Sequence, residues 1–502
     1  MDWLAASIQA HPHKIALIIG GQQWTYADLD KHVMEYCEPL KQIGVSSRQM
    51  VGVLMPSCFE YVCLIHALAR LEAVLVPLNT RLTVTELDWQ LLHLNCTLLI
   101  CSSATEITAS AFVLPKREVV SVHEPQHPVV KYLFQVSPGR IRLRPQPLGL
   151  ITDGVNLPAP HRNLTDELED SLQAVVFTSG TTGNPKGVML TAGNFFWSAA
   201  GSAFRSGTLP SDRWLCCLPL YHVGGLNILF RCCLYGTTVV LQDGFDVDAV
   251  NEALDTQNIT LISLVPTMLY RLLNTRTDFP TSLRLILLGG AAAPADLLEK
   301  CQNLPVALTY GLSEACSQVA TALPTETKPG SVGKPLMFTS VRIVNALGET
   351  LPPGEYGEVV VSGPTVMRGY FGHRPLSGEL ATGDIGYLDA EGDLFLVQRR
   401  SDLIVSGGEN VYPAEVEQVL REHPAVAEAC VVGIEHPEWG QQVAAAVVLK
   451  SPAAEDDILT FSRQHLAGYK QPRRIRFVEA LPQTASGKIH RKAVAALFDA
   501  VD

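Results

Sequence analysis

Thr178-Ser-Gly-Thr-Thr-Gly-Asn-Pro-Lys-Gly187, entered from the apolar run Ala174-Val-Val-Phe177, is the stretch on which the fold of this chain turns. Glycine lets a backbone turn tightly and bring several N–H groups onto one anion. The interleaved Ser and Thr hydroxyls add donors, and Lys186 adds positive charge. A strand feeding such a loop is a phosphate cradle. The competing reading is an ordinary surface turn, since Gly, Ser, Thr and Pro cluster in turns generally. Spacing excludes the P-loop of nucleoside triphosphatases, G-x-x-x-x-G-K-[ST]. Counting from Gly180, Pro185 occupies the second glycine position, and Gly187 follows Lys186 where Ser or Thr is required.

The stretches on either side alternate strand and helix signals. Thr25-Tyr-Ala-Asp28 has the T-x-x-D form of a helix start, and Leu29, Val33, Tyr36 and Leu40 recur at helical spacing. Met50–Met55 predicts a strand, Phe59–Leu71 a helix and Ala73–Pro77 a further strand. Repeated β-α-β order implies a parallel sheet with helices on both faces. Residues 120–170 lose this rhythm and read as a variable excursion. The pattern resumes at Thr237–Leu241, Ile259–Ser263 and Leu283–Leu288. From Gly330 to about Val397 the chain turns Gly- and Val-rich, as in Gly357-Glu-Val-Val-Val-Ser362, which predicts a small β-subdomain. After Asp402, a helix from Tyr412-Pro413, a strand at Ala429–Val432 and a helix at Asp457–Leu466 predict a compact α+β unit. The expected fold class is therefore α/β. Residues 1–401 are expected to form a large domain with doubly wound β/α sheets, and a boundary near Asp402 leaves 402–502 as a small lid.

Composition narrows the function. At 502 residues the chain exceeds the size at which single cores stop growing, which supports two or more domains. A net charge of −12 argues against a general nucleic-acid surface, so an anionic ligand needs local basic residues. The twelve cysteines show no C-x-x-C pairs, and Cys216-Cys217 and Cys232-Cys233 sit inside apolar runs, where thiols behave as small hydrophobes. A reducing, cytoplasmic setting follows. No basic leader is visible at Met1-Asp-Trp-Leu-Ala-Ala, and no apolar run reaches membrane-spanning length.

Five further segments carry chemistry. Tyr310-Gly-Leu-Ser-Glu314 places an aromatic ring, a hydroxyl and a carboxylate within five residues, able to stack on a base and to hold Mg²⁺ among phosphates. Leu288-Gly-Gly-Ala-Ala-Ala-Pro294 permits close approach of backbone to a flat ligand. Thr382-Gly-Asp384 offers a carboxylate at a turn, suited to ribose hydroxyls. Arg399-Arg-Ser-Asp402 followed by Ser406-Gly-Gly-Glu-Asn410 has the charge-then-glycine character of a hinge. Gln483-Thr-Ala-Ser-Gly-Lys488 sets a lysine on a Gly/Ser turn. Singly, each also reads as ordinary turn, packing or surface chemistry.

Taken in order, these segments resemble the core motifs of the adenylate-forming superfamily, which comprises acyl-CoA synthetases, luciferases and adenylation domains. The motifs span 178–490, so the resemblance covers essentially the whole chain. It implies roles for particular residues. Thr178, Ser179, Gly180, Thr181, Thr182, Gly183 and Lys186 would hold the β- and γ-phosphates of ATP. Gly290, Ala291 and Tyr310 would frame adenine, Ser313 would face the α-phosphate and Glu314 would hold Mg²⁺. Asp384 and Arg400 would bind ribose, Asp402 would be the hinge, and Lys488 would bridge acyl and phosphate oxygens during adenylation. Gly408 would then approach the channel for the coenzyme A thiol. Two departures stand out: Ser313 replaces the commoner Thr, and Arg399 stands where Gly often precedes the arginine. The implied reaction is acid plus ATP to acyl-AMP and pyrophosphate, then thiol attack to acyl-CoA and AMP.

The acid is addressed by Pro219-Leu-Tyr-His-Val-Gly-Gly-Leu-Asn-Ile-Leu-Phe-Arg231. By the resemblance it lines an acyl pocket with His222 at its mouth, and Gly289 also binds the acid. Arg231 interrupts an apolar run, and a buried arginine needs an anionic partner. That partner is either an internal acid or a second carboxylate on the substrate, which Arg can grip bidentately. Asp212–His222, Leu287–Pro294 and Arg399–Glu415 look like o-succinylbenzoate–CoA ligases, which act in menaquinone or phylloquinone synthesis. Their aromatic dicarboxylate is activated on its succinyl arm, and the resemblance implies that Arg231 meets the spare benzoate carboxylate. Alternatives are an aryl, medium-chain or other dicarboxylic acid, or a catalytically silent nucleotide-binding protein on the same fold. A peptide-synthetase adenylation domain is disfavoured because no carrier domain follows residue 502. The expected partners are thus a small carboxylic acid, ATP, Mg²⁺ and coenzyme A, without nucleic acid or membrane, and with room for a homo-oligomer.

Overall fold

Where the sequence places a cap, the backbone obeys it. Thr25 Oγ1 accepts from Asp28 N–H while the Asp28 carboxylate accepts from Thr25 N–H, closing a capping box on the helix Tyr26–Gln42. Leu29, Val33 and Leu40 lie on its buried face. In this computed structural model the described residues are 2–102, 104–105, 108, 118–120, 132–135, 171–178, 185–290, 293, 295–326, 328–398, 403–482 and 489–498. At 118–120, 132–135, 295–296, 397–398 and 414 only the backbone is described.

Two large sheets dominate the described residues. A nine-stranded sheet is parallel through Val306–Leu312, Leu285–Leu288, Leu261–Leu264, Arg213–Cys216, Thr238–Leu241 and Ile15–Ile19, with antiparallel strands at both edges. An eight-stranded sheet is parallel at its centre, through Leu172–Thr178, Val74–Pro77, Met50–Leu54 and Leu98–Cys101. The parallel strands Val74–Pro77, Thr238–Leu241, Leu261–Leu264 and Leu285–Leu288 are buried along their length, as strands covered on both faces must be. One cluster of buried side chains, including Phe195, Phe230, Leu226, Val53 and Tyr61, joins the two sheets. The sheets are mixed rather than purely parallel. The excursion after residue 120 contributes Tyr132–Gln135, which pairs antiparallel with Leu98–Cys101, so part of that stretch extends the sheet.

A four-stranded antiparallel sheet spans Ser340–Val344, Gly357–Ser362, Glu379–Leu388 and Leu394–Gln398. The small C-terminal domain has its own sheet and core. Val426–His436 pairs with Gly440–Leu449, and the helix Pro413–Glu422 buries Val416 and Leu420 against them. The molecule is thus a mixed α/β protein with a large N-terminal and a small C-terminal domain. Among the described residues no helix is long and apolar enough to cross a membrane.

Two local expectations need correction. Asp384 is not at a turn; it lies within the long strand Glu379–Leu388. Gly383 has φ +76°, and the register with Gly357–Ser362 shifts there, so glycine marks a bulge that re-aims the next side chain. The second concerns Gly407-Gly408, with φ +59° and +86°, which is the tip of a two-residue hairpin pairing Ser406 with Glu409. Glycine here supplies the positive φ that a two-residue hairpin requires.

Candidate active site

The loop after Thr178 joins two antiparallel strands. Leu172–Thr178 and Lys186–Thr191 pair with Thr178 opposite Lys186, so the two ends of the loop are fixed in register. This differs from the strand-to-helix P-loop. Ser179, Gly180, Thr181, Thr182 and Gly183 lie outside the described residues, as do Ala291, Arg400, Asp402 and Lys488. Lys186 Nζ stands 5.1 Å from the centre of the Tyr370 ring.

Beside it, Tyr310 and Glu314 are buried at the end of the strand Val306–Leu312 and the short 3₁₀ turn Ser313–Ala315. Tyr310 Oη donates to Asp384 Oδ2 at 2.5 Å. Tyr370 Oη donates to Glu314 Oε1 at 2.7 Å. The fold thus draws together residues spread from Thr178 to Asp384. They face a cavity of about 880 Å³ whose wall includes Thr178, His222, Arg231, Gly289, Gly290, Tyr310, Ser313, Glu314, Asp384 and Gly408. Lys186 is not on that wall and reaches the group through Tyr370.

The helix Val223–Tyr235 carries the deep end, with His222 as its N-cap. Arg231 is 1% exposed, among the largest fully buried side chains. Its Nη2 donates to Ser198 Oγ at 3.3 Å and its guanidinium lies 5.8 Å from the Trp214 ring centre. Among the described residues it forms no ion pair, and Nε has no hydrogen-bond partner. Burial pushes the guanidinium pKa down, which records the cost of a charge kept from water without an acid beside it. The internal-acid reading of Arg231 finds no support among the described residues.

The small domain supplies the opposite wall. The Ser406–Glu409 hairpin brings Gly408 to the cavity, against Val265. Glu409 reaches across to His222 Nε2 at 3.0 Å and accepts from Arg81 Nη1 at 3.0 Å. Burial alone would raise the Glu409 carboxyl, but His222 and Arg81 outweigh it and hold it below the usual carboxylate range. Sequence reasoning gave no role to Glu409, Arg81 or Tyr370. A carboxylate directly after a glycine pair was a signal for Glu409; nothing in the local sequence distinguished Arg81 or Tyr370. Pro482 and Ile489, which flank the stretch holding Lys488, do not line the cavity.

Metal fit can be judged from the donor set. Among the described residues no group of three or more His, Cys, Asp or Glu could hold a metal ion. One buried carboxylate, Glu314, suits a Mg²⁺ that takes its remaining ligands from phosphate and water. Nearby thiols are not candidate nucleophiles, since burial pushes Cys217 and Cys316 up to about 12.

Residues 4–371 match the AMP-binding enzyme family, and 415–488 match the AMP-binding enzyme C-terminal domain. The chain is 39% identical to the 2-succinylbenzoate–CoA ligase of Bacillus cereus over 512 residues, covering 99% of this chain and 98% of that protein. Among solved structures it resembles a double mutant of o-succinylbenzoate CoA synthetase from Bacillus subtilis bound to the product analogue OSB-NCoA. The TM-score is 0.84 at 36% identity, over 99% of this chain and 98% of that one. The same Bacillus subtilis enzyme with the acyl-adenylate intermediate OSB-AMP gives a TM-score of 0.67 at 36% identity, over 98% and 97%.

Proposed function

The chain belongs to the AMP-binding enzyme family, and we propose from that premise that it is an ATP-dependent o-succinylbenzoate–CoA ligase. The observation that carries the choice of acid is Arg231: a buried guanidinium at the cavity wall without an acidic partner among the described residues. A dicarboxylate supplies what is missing. The carboxyl of its succinyl arm goes to the reacting end near His222, and the benzoate carboxylate neutralises Arg231. A monocarboxylic acid would leave the guanidinium buried and unpaired, which costs affinity.

A carboxylate is already a nucleophile, so the first step needs position and charge neutralisation more than a base. The acid's oxygen bonds to the α-phosphorus of ATP while the bond to pyrophosphate breaks. Thr178 to Lys186 would hold the departing phosphates, with Gly289 and Gly290 passing along the flat adenine and acyl groups. Tyr310 and Asp384 are tied to each other, so base stacking and ribose binding would be set as one unit. Glu314, held by Tyr370, would carry Mg²⁺, which offsets phosphate charge when bound. Ser313 would face the α-phosphate and Lys488 would bridge the reacting oxygens. In the second step the coenzyme A sulfur bonds to the acyl carbon and AMP departs.

The domain boundary and hinge are proposed at Asp402. The better match to the product-analogue complex than to the acyl-adenylate complex of one relative supports placing the small domain here in its thioester-forming arrangement. Gly408 at the cavity supports the same reading. The buried thiols fit a reducing compartment, which supports a cytoplasmic enzyme of menaquinone or phylloquinone synthesis. The deciding experiment is a thioester assay over a panel of acids. o-Succinylbenzoate should give the highest kcat/KM; a clear preference for benzoate, a medium-chain acid or malonate would reject the assignment. Acid-dependent ATP–pyrophosphate exchange separates an enzyme from a silent nucleotide binder.

A further inference from the structure

A second ionic contact between the domains lies beside the cavity without forming part of its wall. Lys470 of the small domain is almost wholly buried and donates to Glu86 Oε1 and Glu415 Oε1, each at 2.7 Å. Glu415 belongs to the small domain, in the first turn of Pro413–Glu422, whereas Glu86 belongs to the large-domain helix Val84–His93. All three side chains are at most 8% exposed. Apolar packing surrounds them: Ala467 joins the cluster of Leu82, Leu87 and Leu91, and Tyr469 packs at its rim.

The two oxygens of Glu86 are divided between two tasks. Oε2 accepts from Thr83 N–H and Thr83 Oγ1, both at 2.8 Å, in a capping box that fixes the carboxylate on its own helix. Oε1 is thereby aimed at the small domain, where Lys470 meets it. Rotation of the small domain would carry Lys470 and Glu415 away together and leave Glu86 behind. One bond of the triad thus tracks domain position, and the other does not.

We propose that the Glu86–Lys470 pair is a docking latch, which makes both positioning residues for the thioester half-reaction. The latch rests on the two-step reading given above. Its charge arrangement suits reversible use. Lys470 keeps Glu415 as partner in either position, so release does not strand a buried ammonium. Docking adds the attraction of Glu86 to Lys470 against its repulsion from Glu415 and the loss of water. The third charge therefore tips the docking equilibrium without trapping it.

The test uses the full-length enzyme and separates the half-reactions. Glu86→Gln keeps the box, since Gln serves at that position, but removes the charge. Pyrophosphate exchange with o-succinylbenzoate should stay within about two-fold of the unaltered enzyme, while thioester formation from supplied o-succinylbenzoyl-AMP and coenzyme A should fall about ten-fold. Glu86→Asp keeps charge and box, as Asp28 does in its own box, and should restore part of the lost rate. Equal losses in both half-reactions, or no loss in either, would overturn the latch. If Glu86→Gln does not fold, Glu86→Asp carries the same split, because its shorter arm should slow only the thioester step. Failure of the unaltered enzyme to exchange pyrophosphate with o-succinylbenzoate would overturn the functional reading instead.

Discussion

The two walls of the cavity are built by opposite means. On the large-domain side three groups are held within their own domain: Asp384 by Tyr310, Glu314 by Tyr370, and Arg231 by a packed core with Ser198 and Trp214. On the small-domain side Gly408 is carried on a tight hairpin, and Glu409 holds its place through charges that cross the boundary to Arg81 and His222. Groups that keep one position through both half-reactions belong on the first wall. Groups that must come and go between them belong on the second, where a few ion pairs can be made and broken without disturbing a core.

The sharpest way to break this division is Lys488→Ala. Lys488 is assigned to the small domain yet to the adenylation step, so its loss should fall on that step alone. Pyrophosphate exchange should drop on the order of 10²–10³, the cost of removing one preorganised charge from a transition state. Thioester formation from supplied acyl-AMP should be nearly unchanged. Equal loss of both would show that the lysine does not alternate with Gly408. Next in size is Arg231→Ala, which tests the fixed wall. kcat/KM for o-succinylbenzoate should fall on the order of 10², because a buried charge pair loses one member. Activity toward a monocarboxylate lacking the benzoate carboxylate should fall much less, and equal losses would make Arg231 a packing residue.

The sequence was legible where chemistry is local. Caps such as Thr25–Asp28, the apolar strands and the small-domain helix could all be placed, because each depends on neighbours a few residues away. The cavity could be populated but not drawn. Residues such as Tyr310 and Asp384 were recognisable singly, whereas their 2.5 Å hydrogen bond depends on a bulge at Gly383 that resembles a turn in sequence. Arg231 announced itself as a charge inside an apolar run. Arg81, Glu86 and Lys470 did not, because an ordinary surface charge and a boundary-crossing ion pair have the same local sequence; only the packing of segments 384 residues apart distinguishes them.

A smaller effect is expected from Glu409→Gln, which keeps shape but removes the charge facing Arg81 and His222. The thioester step should slow about ten-fold, the value of a hydrogen bond to a charged group, with adenylation spared. The pH dependence has a definite sign. Glu409 is held below its ordinary pKa when docked, so its contribution to docking is complete above the ordinary carboxylate range and is lost as pH falls through the docked value. Between about pH 6 and 8 the Glu409→Gln defect should therefore be constant as far as this carboxylate is concerned. A slope in that window would belong to another group.

The smallest predicted effect probes how far the fixed wall is fixed. Tyr370 touches two assigned groups at once, donating to Glu314 through its hydroxyl and facing Lys186 with its ring. Tyr370→Phe removes the hydroxyl and leaves the ring. If Glu314 is held chiefly by the strand and 3₁₀ turn beneath it, adenylation should slow only about three-fold, near the low end for one hydrogen bond. The Mg²⁺ concentration for half-maximal rate should rise in step, because the carboxylate is less well aimed, while thioester formation from acyl-AMP should not change. Tyr370→Leu removes the ring as well and should add a loss in ATP binding through Lys186. A Tyr370→Phe defect as large as that of Lys488→Ala would mean that the fixed wall also depends on single contacts, and the contrast between the walls would then be one of degree.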